Sequence, residues 1–70
     1  MTETRQMSDP RYHAARIKEM LREVRDRVRE DIDRVDDPRA EALFETTAEV
    51  LSGLETAYDH FERAAEESWR

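Results

Sequence analysis

The chain has 70 residues, 43% of them charged and 37% hydrophobic, with no cysteine and a formal net charge of −6. That length holds one small domain, and the absence of cysteine excludes disulfide staples and thiolate metal centres. No apolar run approaches the ~20 residues of a membrane span, and the acidic balance argues against phosphate binding, which needs a strongly basic face.

Residues 1–8 show neither helical periodicity nor the apolar stretch of a signal peptide. They read as a flexible tail on a cytoplasmic protein. Residues 9–70 read as one helical domain.

The first helix opens at Asp9–Pro10 and is expected to run over about 10–35. An aspartate at the N-cap accepts hydrogen bonds from backbone N–H groups that have no helical partner, and proline fits the first helical position. Ala14, Ile17, Leu21, Val24, Val28 and Val35 recur near the helical period as a narrow stripe. Asp31 interrupts that stripe, with Ile32 beside it. This close to a helix end Asp31 is expected to reach solvent; a register-fixing contact with Arg39 across the turn is the other reading.

Asp36 and Asp37 are the expected turn. Pro38 disfavours helical geometry at Asp37, and the clustered acids suit a helix start better than a helix end. The second helix is expected over about 38–68. Its stripe is wider: Ala40, Leu43, Phe44, Thr47, Val50, Leu51, Leu54, Ala57, Tyr58, Phe61, Ala64 and Ala65 fill about three positions per heptad. The two stripes are out of phase, so a single continuous helix would swing its apolar side partway round the axis. The fold class is therefore all-α, a two-helix antiparallel hairpin. Opposed charge supports it: 10–35 carries eight Lys/Arg against six acids, and 36–70 three Arg against ten. Folding back about Asp36–Asp37 sets Met20 opposite Gly53, where close helix approach or a slight bend would account for the glycine.

One seam is narrower than the second stripe. The row Phe44, Leu51, Tyr58 and Ala65, with Trp69 beyond, is expected to lie open in a lone hairpin and to form a self-association interface. Two hairpins would then join as a homodimeric four-helix bundle. Another helical protein seated in the same groove is the alternative partner.

Chemistry finds little to work with. His13 falls opposite His60, and with Asp59, Glu62 or Asp9 the pair makes a candidate His/carboxylate metal site. Solvated histidines are the plainer reading, because the Glu-x-x-His motif of di-iron bundles is missing. Glu41, Glu45 and Glu49 form a solvated acidic face. No nucleophile–base triad or phosphate-binding glycine loop can be assembled, so neither an enzyme nor a cofactor is expected. Arg11, Arg16, Arg22, Arg25 and Arg29 supply a basic strip diluted by intervening acids, the ground for a nucleic-acid alternative. In length and topology the chain resembles small dimeric RNA-binding helical hairpins, a likeness of architecture in which no residue motif aligns. The expected role is a non-enzymatic, self-associating interaction or scaffold module.

Overall fold

A computed structural model describes residues 8–68, with side chains placed as far as Ala65. It consists of two helices, α1 (Pro10–Ile32) and α2 (Pro38–Ser68), packed side by side as an antiparallel hairpin. Of the expected 1–8 tail only Ser8 is described, and Trp69 lies outside the described residues.

Both helix starts form as their sequences imply. Asp9 adopts extended backbone (φ −77°, ψ 118°), and its carboxylate accepts from the Arg11 backbone N–H at 2.9 Å, with Pro10 following as the first helical residue. Asp37 repeats the arrangement, its Oδ1 accepting from the Arg39 N–H at 2.9 Å. Caps of this kind typically stabilise a helix by about 1 kcal/mol.

The end of α1 differs from expectation. The helix stops at Ile32, three residues early, and 33–37 connect the helices instead of 36–37 alone. Asp33 closes it, and the Arg34 N–H donates to the Asp31 carbonyl at 3.0 Å in a tight turn. The physical reason is charge: the negative end of the helix dipole meets Asp31, Asp33, Asp36 and Asp37 in quick succession. Asp31 itself is half-buried and is held by Arg27 at 3.0 Å and Arg34 at 3.7 Å. Arg39 turns to Asp37, at 3.7 Å, so the bridge to Asp31 across the turn does not form.

The hairpin is a slab 51 by 23 by 13 Å, about one helix thick. Among the described residues only Ala14, Ala48 and Glu55 are buried, and no large side chain is fully enclosed. The seam is built from the inward edges of both stripes. Leu21, Val28 and Ile32 on α1 and Phe44, Leu51 and Tyr58 on α2 are each half-buried. The α1 stripe thereby divides, since Ile17 and Val24 point out of the seam and remain exposed.

This arrangement corrects the expected exposure of the α2 row. Phe44, Leu51, Tyr58 and Ala65 do not lie open; they are half-covered. The large open apolar side chains of α2 among the described residues are Leu43, Val50, Leu54 and Phe61, with Leu43 62% exposed. Ion pairing explains the rotation. Glu55 bonds Arg25 across the seam and Asp59 bonds Lys18, so α2 turns its acidic edge toward α1 and carries the far half of its apolar stripe outward.

Gly53 also differs from expectation. A Cβ built there would meet nothing within 4 Å, so no close approach by α1 requires a glycine. Gly53→Ala is therefore expected to raise the stability of α2 by about 0.5–1 kcal/mol, the usual helical penalty of glycine relative to alanine. Urea unfolding checks this; a loss of stability would show that the position is constrained after all.

Candidate interaction face

The two broad sides of the slab differ in chemistry. On α1, Pro10, His13, Ile17, Met20 and Val24 follow one another at helical spacings of three and four, on one flank of the seam. On α2, Leu43, Thr47, Val50, Leu54, Ala57 and Phe61 do the same. A shallow groove of about 380 Å³ shows that both rows lie on the same side, because Pro10, His13 and Ile17 line it together with Ala57, Tyr58 and Phe61. Ala14 is its remaining lining residue. Ile17, Met20, Val24, Leu43, Val50, Leu54 and Phe61 are all exposed, and the helical spacing of each row carries it along this side from the groove. Contiguous exposed apolar faces of this size are commonly places where proteins meet a partner.

The other side is held by charge. Lys18 Nζ donates to Asp59 Oδ1 at 2.9 Å and to Glu62 Oε2 at 3.0 Å. The Arg25 guanidinium donates to both Glu55 oxygens, at 2.9 and 2.8 Å, and Arg22 approaches the same carboxylate at 3.6 Å. Further toward the turn, Arg29 and Ile32 line a depression with Glu45, Thr46, Ala48, Glu49 and Ser52. Lys18, Arg22, Arg25 and Arg29 recur at spacings of four, three and four, as Glu55, Asp59 and Glu62 do at four and three. That matched rhythm was present in the sequence, and the ladder between the helices is what the sequence reading missed. It also engages Arg22 and Arg25 of the basic strip, which face Glu55; apart from it, Arg11 bonds Asp9 and Arg16 sits 5.8 Å from the centre of the Tyr12 ring.

The candidate metal residues are placed differently from one another. His13 lies in the apolar groove, its ring edge-on to Tyr12 with centroids 5.3 Å apart, whereas His60 is exposed on α2 outside the groove lining. Asp59, the expected oxygen donor, is taken by Lys18. Among the described residues no group of three or more His, Asp or Glu side chains is arranged to hold a metal ion. Among the same residues no helix is long and apolar enough to cross a membrane.

The ladder predicts a pH response. The hydrogen bond from Lys18 holds the Asp59 carboxyl below the ordinary aspartate range, and Asp59 together with Glu62 raises Lys18. Asp9 is likewise lowered, chiefly by its side-chain hydrogen bond with Arg11. A carboxyl depressed in the folded state binds its proton more readily when unfolded, so its stabilisation is complete above the unfolded pKa near about 4. It is lost as pH falls through the lower folded value. The urea midpoint is accordingly expected to drop below about pH 4, and Asp59→Asn to fall less steeply there than the parent chain. Identical slopes would remove the ladder from the account of acid sensitivity.

No known protein family, curated protein or solved structure matches the chain.

Proposed function

We propose that the hairpin is a non-enzymatic module that self-associates through its apolar face into a homodimeric four-helix bundle, serving as an interaction or scaffold element. One observation carries this reading: seven exposed apolar side chains from both helices lie contiguously on one side of a slab whose opposite side is closed by ion pairs. A slab one helix thick cannot bury both sides of itself, and stacking a second slab on the apolar side gives four helices around a shared core.

Light scattering on the intact chain tests it. The expected mass at micromolar concentration is twice the 8.4 kDa of one chain. A single-chain mass across the whole concentration range would overturn the reading and leave the face to a different helical protein, by the mode in which an amphipathic helix fills an apolar groove.

A further inference from the structure

We propose that the second copy covering the apolar face is turned end for end, so that α2 lies antiparallel to α2 of its partner and the two turns point in opposite directions. This rests on the self-association proposed above and adds the sense in which the copies meet.

The order of side chains along the open row points to it. Counted from Ser52, Val50 and Leu54 lie two positions to either side, Thr47 and Ala57 five, and Leu43 and Phe61 nine. Aliphatic residues flank the centre, small ones follow, and large ones stand at both ends. A two-fold contact is self-complementary, each residue meeting whatever the rotation brings opposite. With the axis level with Ser52, Leu43 of one copy meets the partner's Phe61, Val50 meets the partner's Leu54, and Thr47 meets the partner's Ala57.

The other face-to-face arrangement, with a two-fold axis along the helices, lays α2 over α1 of the partner. It matches poorly. The α2 row from Leu43 to Phe61 spans about 27 Å, and the exposed aliphatic row of α1 from Ile17 to Val24 about 10 Å. Leu43, at the turn end of α2, would then face the turn end of the partner's α1. There Asp31 is bound up with Arg27 and Arg34.

Charge and area agree with a second copy as occupant. Each chain carries −6, yet the α2 row contains no charged residue. Glu45, Glu49, Glu55 and Asp59 belong to the opposite depression or to the ladder, so along α2 the contact sets no like charges against one another. The broad side of the slab, 51 by 23 Å, has room for the roughly 800 Å² per partner of an ordinary stable interface.

Disulfide trapping tests the orientation cleanly, because the chain has no cysteine of its own. Leu43→Cys and Phe61→Cys proteins are mixed, allowed to exchange under reducing conditions, then oxidised. A second mixture uses Thr47→Cys and Ala57→Cys, smaller changes that preserve the bulk of the row. The mixed disulfide is expected to exceed either like-with-like product at least about tenfold in the first pair. Like positions at Leu43 stand about 27 Å apart along antiparallel helices, and disulfides need Cα atoms within about 7 Å. Light scattering on the intact chain reads self-association separately. A dimeric intact chain with no excess of mixed disulfide in either mixture overturns the end-for-end arrangement while self-association stands. A monomeric intact chain overturns both.

Discussion

Leu54→Glu is expected to convert the proposed dimer to a monomer at micromolar concentration, weakening association at least about 100-fold, or about 2.8 kcal/mol. Leu54 stands two positions from the centre of the open row and is 43% exposed in the single hairpin. A carboxylate there meets water in the monomer, so the hairpin itself tolerates it. In the proposed dimer the same change places two charges within an apolar contact, and burying an unpaired charge is strongly unfavourable. Symmetry applies the penalty twice. Thr56→Glu, on the ion-paired flank of α2, is the control and should leave the mass unchanged. Light scattering with circular dichroism checks both. Retained helix content with an undiminished mass in Leu54→Glu would show that this face is not where copies meet.

Glu55→Ala is expected to destabilise the hairpin by about 2–3 kcal/mol. Glu55 is only 7% exposed, and its carboxylate serves Arg25 and Arg22 together. Removing it strands Arg25, whose side chain is 23% exposed and whose Nε is already buried without a partner. Breaking one half of a buried pair leaves the other half desolvated and uncompensated, which is why the loss exceeds the net worth of the pair. Replacing both partners, Glu55→Leu with Arg25→Leu, should therefore recover most of it. Urea unfolding of Glu55→Leu, Arg25→Leu and the double variant reads the coupling directly. Additive losses would show that the two side chains act independently across the seam.

The helices and the reversal between them were legible because they depend on local chemistry. Asp9–Pro10 and Asp37–Pro38 announce two helix starts, and the phase slip between the stripes separates a hairpin from one long rod. Which half of the wide α2 stripe faces inward was not legible. Hydrophobicity treats Leu51 and Leu54 alike, and a rotation of less than one residue spacing per helix face exchanges their environments. The choice is made by long polar side chains reaching across the seam, above all Lys18 to Asp59 and Arg25 to Glu55. Those contacts join residues far apart in sequence, so periodicity within either helix cannot register them. Only the complementary spacing of cations on α1 and acids on α2, compared side by side, would have shown which edge turns inward. The early stop of α1 at Ile32 was missed for a related reason. Val35 continues the apolar rhythm, but the surrounding acids oppose further winding more strongly than one valine favours it.

A body with no enclosed interior has a thermal consequence of its own. Because no large side chain among the described residues is fully shielded, opening an isolated hairpin wets little additional hydrocarbon. The heat-capacity increment and the denaturant slope are then both small. Warming such a molecule loosens it gradually, as a frayed rope slackens, where a thicker fold would give way over a narrow range of temperature.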